Sequence, residues 1–96
     1  MKKQQILEIL ENHKGILQEQ YGIKHLALFG STARDTATET SDIDILISFE
    51  GIANSQRYFG TLFYLEDLLQ KPIDLITDNA IRPELRPHIE SDLIYV

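Results

Sequence analysis

The 96-residue chain contains no cysteine, so it can form neither a disulfide nor a thiolate metal site. It also lacks any run of about 18 apolar residues, the length that a membrane-spanning helix needs. Its first apolar stretch, residues 6–11, is interrupted by Glu8 and Glu11, which excludes the apolar core of a signal peptide. We therefore expect a soluble, cytoplasmic protein with no membrane partner.

Basic residues are scarce as well. Nine lysines and arginines stand against fifteen aspartates and glutamates, which gives a formal charge of −6. A chain of this sign is repelled by a polyphosphate backbone unless a local patch overrides it, so we expect no direct nucleic-acid partner. A small anionic ligand remains compatible with this charge, because a metal ion can bridge two negative groups.

The length suits one domain, residues 1–96, built around a single core. Apolar periodicity predicts helices at 3–20 and 54–70, strands at 23–29, 42–49 and 73–76, and a small fourth strand at 93–96. The buried stripes of the two helices are predicted at Ile6, Ile9, Leu10, Ile16 and Leu17, and at Phe59, Leu62, Phe63, Leu65 and Leu69. This alternation predicts an α/β (α+β) fold, a small mixed β-sheet of three to four strands flanked by helices.

A glycine and a serine follow the first predicted strand. The segment Gly30-Ser31-Thr32-Ala33-Arg34 predicts a turn that opens a short helix, with Ser31 at or near the N-cap. Glycine permits close backbone approach, and exposed amides at a helix start attract phosphate oxygens. Arg34, one turn later, is a fixed cation that could reach the same phosphates.

Three aspartates lie near the starts of the next two predicted strands. Strand alternation places Asp42 and Asp44 on one face, roughly 6–7 Å apart, and Asp74 lies early in the third strand. Hard oxygen ligands of this kind suit magnesium. For Gly30 and the aspartates to line one site, the first two strands must be antiparallel and the second and third parallel, with the helix at 54–70 as the crossover.

Each of these features also has a purely structural interpretation. A Gly-Ser turn between a strand and a helix is usually only a turn, and Asp-x-Asp at the entry of a strand is often a solvated edge. Arg34 alone fits an ordinary surface arginine. The ordered combination is what indicates a functional site, because the local predictions converge on one end of the sheet.

The combination resembles a known family. Phe29-Gly30-Ser31, then ten residues, then Asp42-Ile43-Asp44-Ile45, and later Ile73-Asp74-Leu75, is similar to the polymerase-beta-type nucleotidyltransferase superfamily. The stretches at 30–34 and 41–44, and the tail from Leu85 to Val96, resemble its minimal members, the MNT-type proteins. The resemblance covers nearly the whole chain and implies the polymerase-beta-like nucleotidyltransferase fold.

The resemblance also implies an activity. MNT proteins are typically antitoxins paired with a helical HEPN toxin, and characterised members transfer AMP from ATP to a tyrosine of that toxin. Carried over to this chain, Asp42, Asp44 and Asp74 would be the catalytic, metal-binding residues, with two Mg²⁺ ions. Gly30, Ser31 and Arg34 would bind the nucleotide. The expected partners are a HEPN-family toxin, in a hetero-oligomer, and ATP.

One residue departs from the family pattern. The family often has glycine after the arginine, where this chain has Asp35, and a negative charge there is expected to weaken nucleotide binding unless it points away. Two alternatives remain at the level of the sequence. One is an antitoxin that neutralises its toxin by binding alone; the other is a transferase that acts on a small hydroxyl compound.

Overall fold

The structure, a computed structural model, describes residues 2–96. Its elements are helix α1 (Lys3–Tyr21), strand β1 (Ile23–Phe29), helix α2 (Gly30–Ala33), strand β2 (Ile43–Phe49), helix α3 (Ser55–Leu69), strand β3 (Ile73–Thr77), a 3-10 turn (Asp78–Ala80), helix α4 (Arg86–Glu90) and strand β4 (Ile94–Tyr95). Both predicted long helices and all four predicted strands are present, within one residue of their predicted bounds. No helix in the described part of the chain has the length and apolar composition that crossing a membrane would demand.

The ends of the long helices follow from local sequence. Helix α1 stops at Gly22, which adopts a left-handed φ of 71° and donates its N–H to the carbonyl of Gln18. Helix α3 begins after Asn54, whose side chain accepts the N–H of Arg57 at 2.8 Å. It ends at Gln70, which is left-handed with φ of 54°. Polar caps and left-handed residues therefore set the lengths of both helices.

The four strands form one mixed sheet in the order β3-β2-β1-β4. Strand β1 pairs antiparallel with β2 and with β4, whereas β2 and β3 are parallel and joined through α3. The predicted strand directions and the mixed α+β class are confirmed. The pairing places Phe29 opposite Asp44 and Asp44 opposite Asp74, so three consecutive strands align the predicted site.

Both faces of the sheet are covered by apolar side chains. One face meets α1 and α3 and includes Ile43, Ile45 and Ile47, which are almost completely buried. The other face presents Leu46, and residues of the tail pack on it: Ile81, Ile89 and Leu93. The predicted alternation along β2 is therefore confirmed, and the face that carries Asp44 is the one that the tail partly covers.

The predicted apolar stripe of α3 was too wide. Phe59 and Phe63 are 49% and 62% exposed, whereas the fully buried positions are Thr61, Leu65 and Leu69. Positions 61, 65 and 69 repeat every four residues along one line of the helix, and that line is buried most deeply, with Tyr58, Leu62 and Tyr64 packed partly buried beside it. Ile16 of α1 is likewise 40% exposed, so its predicted burial was also wrong.

Candidate active site

Two strand partners bring the carboxylates together. Asp44 and Asp74 are directly paired in the parallel β2–β3 ladder, where neighbouring strands lie about 4.8 Å apart. The pKa of Asp44 is raised from its ordinary 3.8 to about 6, first by burial and then by a hydrogen bond to Asp74 and by the charges of Asp74 and Asp42. The charge of Arg34 opposes this rise. The structure therefore gathers Asp42, Asp74 and Arg34 around Asp44.

This donor set fits a divalent cation that keeps much of its own shell. No three acidic, histidine or cysteine side chains within residues 2–96 are arranged as a ready-made metal cage. Asp44 is partly buried against Asp74, whereas Asp42 lies just before β2 and is exposed. Magnesium commonly takes one or two protein carboxylates and completes its shell with water and substrate phosphates. A carboxyl group such as that of Asp44, with a pKa raised by burial and by neighbouring carboxylates, is what such a site presents before a cation neutralises it.

Gly30 lies against Asp44 and admits no side chain. Its φ is 72°, in the left-handed region that favours glycine, and a β-carbon there would overlap the Oδ2 atom of Asp44. The close approach follows from the strand register, since Phe29 is opposite Asp44. The structure thus brings the predicted phosphate turn and the predicted carboxylates into contact.

The predicted N-cap was misplaced by two residues. Helix α2 is capped by the extended Phe29, and Ser31 is its second helical residue. The helix starts at Gly30 because its carbonyl already accepts the N–H of Arg34 at 3.1 Å. The carbonyl of Ser31 accepts the N–H of Thr36 at 2.9 Å, which folds the following loop back on the turn. Ser31 therefore belongs to the turn beside Asp44, although it is not its cap.

Arg34 is held by a partner that sequence reasoning missed. Its Nη1 donates to Asp92 at 2.5 Å, and the two side chains are 53% and 16% exposed. Asp92 precedes the last strand, 58 residues away along the chain. No local pattern signals such a contact, because only the pairing of β4 with β1 brings the tail there. A guanidinium has five N–H donors, so Arg34 keeps others for a ligand.

The backbone of Asp35 adopts a conformation that most residues avoid. Its φ is 64°, where glycine is the easiest occupant and aspartate is among the better tolerated alternatives. A glycine, which the family resemblance leads us to expect here, would adopt this conformation without strain. Asp35 lines a surface depression with Lys2, Lys3, Thr32 and Ala37, none of which belongs to the predicted site.

Tyr58 is a second residue whose position the sequence did not reveal. Its hydroxyl donates to the carbonyl of Leu75 at 2.6 Å, on the strand residue that follows Asp74. Burial raises the pKa of Tyr58, and the charge of Asp74 adds to the rise. Tyr58 therefore lies at the rim of the candidate site, beside Asp74.

Comparisons with known proteins cover nearly all of the chain. A sequence profile described as the nucleotidyltransferase domain matches residues 10–96. A Methanocaldococcus jannaschii protein assigned as a protein adenylyltransferase is 47% identical over 93 residues, which cover 96% of this chain and 95% of that protein. The protein adenylyltransferase MntA of Thermococcus cleftensis is 33% identical over 93 residues, which cover 97% and 94% of the two chains.

Solved structures share the fold. A protein assigned as a minimal nucleotidyltransferase superimposes with a TM-score of 0.83 at 26% identity, covering 98% of this chain and 95% of the other. A chain from the complex of tri-AMPylated Shewanella oneidensis HEPN toxin with MNT antitoxin gives a TM-score of 0.65 at 18% identity, covering 92% and 69%. The profile match includes every predicted site residue from Gly30 to Asp74.

Proposed function

Because the chain belongs to the nucleotidyltransferase domain family, we propose that it transfers AMP from magnesium-bound ATP to a hydroxyl of a HEPN-type toxin. The acceptor is a tyrosine, and the modification makes this chain the antitoxin of the pair. The observation that carries the proposal is the alignment of Gly30, Asp44 and Asp74 on three adjacent strands. The names of relatives at 47% and 33% identity support protein as the acceptor class.

The aspartates hold the charge that the reaction needs. Asp42 and Asp44, with Asp74 completing the set, would bind two Mg²⁺ ions. When bound, the ions neutralise phosphate charge on both sides of an in-line displacement. Asp44 is the central ligand because it touches Asp74 on one side and Gly30 on the other. Phosphoryl transfer depends mostly on positioning and charge neutralisation, which is why three carboxylates and a turn can support it.

The turn after β1 positions the triphosphate. Gly30 leaves room for a phosphate chain to approach the backbone, and the amides around Ser31 donate to its oxygens. Arg34 adds a cation, and its bond to Asp92 fixes the guanidinium in place. The β- and γ-phosphates therefore lie on the β1 side of Asp44, where they leave together as pyrophosphate.

The transfer of AMP forms one bond to phosphorus and breaks another. The acceptor oxygen forms a bond to the α-phosphorus while the bond from that phosphorus to the oxygen bridging to the β-phosphate breaks. The electron pair leaves with pyrophosphate, and the hydroxyl proton passes to a carboxylate oxygen of Asp74. Asp74 suits this role because its strand lies on the side of Asp44 opposite to the turn.

Charge favours the proposed partner. The chain carries a formal charge of −6, whereas HEPN toxins, which the family resemblance implies are ribonucleases, have to attract RNA with a basic surface. Opposite potentials speed the encounter of two proteins and disfavour wrong partners. The same negative charge argues against a nucleic-acid acceptor.

Co-expression with a HEPN-type toxin tests the proposal. The toxin is purified by its own tag, and its intact mass is measured after co-expression with the wild type or with Asp44→Asn. We expect additions of one or more AMP units with the wild type only. Co-purification without any added mass, with ATP and magnesium supplied, would instead make this chain an antitoxin that acts by binding. No association would direct attention to small hydroxyl compounds.

A further inference from the structure

A groove runs along the free edge of the sheet beside Asp74. Strand β3 is the last strand on its side, so its outer edge has no strand partner within residues 2–96. The groove, about 440 Å³ in volume, begins at Leu75, the residue after Asp74. Its other walls come from α3 and the tail and include Tyr58, Ile81, Leu85 and Ile89.

The groove continues into an exposed aromatic pair on α3. Tyr58, in the groove wall, contacts Phe59 edge-on with ring centroids 5.2 Å apart, and Phe59 stacks on Phe63 at 6.1 Å. Phe59 and Phe63 are 49% and 62% exposed, and Leu85 at the groove rim is 49% exposed. We call the groove together with these two phenylalanines the edge surface. Contiguous exposed apolar surface of this kind marks interaction sites in soluble proteins.

The order of the strands decides which substrate the edge surface meets. In the proposed function the pyrophosphate leaves on the β1 side of Asp44, which is the side that Gly30 contacts. In an in-line displacement the attacking hydroxyl arrives opposite to the leaving group, which is the β3 side. Asp74 lies on that side, and the edge surface is what borders it there. An acceptor that approaches from the β3 side meets this surface next to Asp74, because the groove begins at the following residue, Leu75.

We propose, on the basis of the proposed function, that the edge surface docks the acceptor protein and guides its hydroxyl to Asp74. The occupant is an apolar segment of that protein, with a carboxylate that meets Arg82. Arg82 is the one charged residue of the groove wall. Among the four arginines, it is the one whose guanidinium makes no ion pair or hydrogen bond within residues 2–96; the other guanidinium groups bond to Asp92, to backbone carbonyls, or to Asp78 and Glu90.

The segment binds through its side chains and not as an added strand. At this edge the carbonyl of Leu75 already accepts the hydroxyl of Tyr58 at 2.6 Å, so an added strand would have to displace that hydroxyl or share its acceptor. Apolar side chains can still enter the groove beside it. An amphipathic helix fits best, since the groove and the Phe59–Phe63 pair offer anchor points for residues one turn apart.

Two variants of exposed residues test the proposal. Phe63→Glu and Leu85→Glu each place a charge on the edge surface, and Ile52→Glu is the matched control at an 89% exposed apolar residue outside it. With purified HEPN-type toxin as acceptor, both edge variants should lower kcat/KM for transfer by about tenfold or more, as anchor residues of interfaces do. The affinity for magnesium-bound AMP-PNP, measured by calorimetry, should stay within about twofold, and Ile52→Glu should match the wild type in both.

Other results would overturn the proposal. Unchanged kcat/KM in both edge variants would remove the surface from acceptor docking, and an equal loss of AMP-PNP affinity would make the groove a site for the nucleotide base. A wild-type dimer that Phe63→Glu converts to a monomer would make the surface a self-interface. If the wild type binds the toxin without transferring AMP, only the proposed transfer fails, and docking is judged from toxin affinity. A tenfold weaker complex with the edge variants alone would still support the surface, whereas no wild-type complex would reject it.

Discussion

Strand β1 lies between two glycines, and each of them meets a charged side chain from elsewhere in the chain. At its start, Gly22 has φ of 71°, and a β-carbon there would overlap the guanidinium of Arg57. At its end, Gly30 has φ of 72°, and a β-carbon would overlap the carboxylate of Asp44. The two ends therefore use the same backbone device to bring a charge close to the main chain.

The two charges differ in how the fold satisfies them. The guanidinium of Arg57 donates four hydrogen bonds of 2.6–3.0 Å and lies 4.8 Å from the ring centre of Phe49; its acceptors are the carbonyls of Tyr21, Gly22, Glu50 and Ile52. Asp44 instead faces two other carboxylates, and its pKa is raised by burial and by them. One end stabilises the fold, and the other keeps an electrostatic conflict that a cation would relieve. That contrast is the strongest physical sign of where function lies.

The largest expected effect comes from a substitution at the end of strand β1 where Gly30 meets Asp44. Asp44→Asn removes the charge of the residue that we propose as the central metal ligand, so transfer of AMP should fall about 10³-fold or more because the cation can no longer be held. The fold should persist, since the substitution also removes the conflict with Asp74. Transfer by intact mass and unfolding by urea measure the two effects. A variant with wild-type activity in magnesium would show that Asp44 is not a ligand.

The next largest effect comes from a substitution at the other end of strand β1, where Gly22 meets Arg57. Arg57→Met removes all four hydrogen bonds. It leaves three of the four acceptor carbonyls, those of Tyr21, Glu50 and Ile52, without a donor, which should cost about 2–4 kcal/mol of unfolding free energy. Arg57→Lys should recover little, because an ammonium cannot span acceptors arranged around a planar guanidinium. Arg82→Met, at an arginine without an internal partner, should change stability by less than about 0.5 kcal/mol. A loss of similar size in Arg82→Met would deny Arg57 its special role.

A third change asks whether contact with Asp44 matters beyond backbone strain. Gly30→Ala and Gly51→Ala both place a β-carbon at positive φ, 72° and 73°, but only at Gly30 does that carbon meet another group. Both should lose about 1 kcal/mol of stability from the backbone. Only Gly30→Ala should also weaken the binding of magnesium-bound AMP-PNP, by about tenfold or more. Equal affinity in the two variants would remove Gly30 from the phosphate site.

The pH dependence of stability sharpens the contrast from the carboxylate side. Asp44 has a pKa of about 6 in the folded chain and an ordinary 3.8 in the unfolded one, so folding favours its protonated form. Stability of the metal-free protein should therefore rise as the pH falls through 6, by about 1 kcal/mol between pH 7 and 5 given the partial exposure of the group. Asp44→Asn should lack this part of the rise. If the unfolding free energies of the wild type and Asp44→Asn changed with pH in the same way, the pKa of Asp44 in the folded chain would be its ordinary one.

Sequence reasoning predicted that Gly30 and the aspartates come together, and it missed the contacts of Arg57, for a physical reason. Asp42, Asp44 and Asp74 stand at fixed places in period-two strands, and the crossover rule fixes the strand directions, so their convergence follows from local patterns. Arg57 acts through backbone carbonyls, which every residue has and no pattern displays. The exposure of Phe63 was hidden for a related reason, because periodicity shows that a helix has an apolar face but not how wide the contacting surface is.

The smallest effect concerns the residue that departs from the family pattern. Asp35→Gly relieves a left-handed aspartate at φ of 64° and should stabilise the protein by about 0.5 kcal/mol, less than Gln70→Gly at φ of 54°, because aspartate tolerates this region better than glutamine. Since Asp35 lines a depression with Lys2 and Lys3 and not with the site, its charge should have little influence on bound phosphates. The affinity for magnesium-bound AMP-PNP should thus stay within about twofold in Asp35→Gly and in Asp35→Asn, which removes the charge and keeps the shape. A much tighter complex in both variants would mean that the charge of Asp35 does act on the nucleotide. Asp35 would then be a fourth carboxylate at the candidate site, beside Asp42, Asp44 and Asp74.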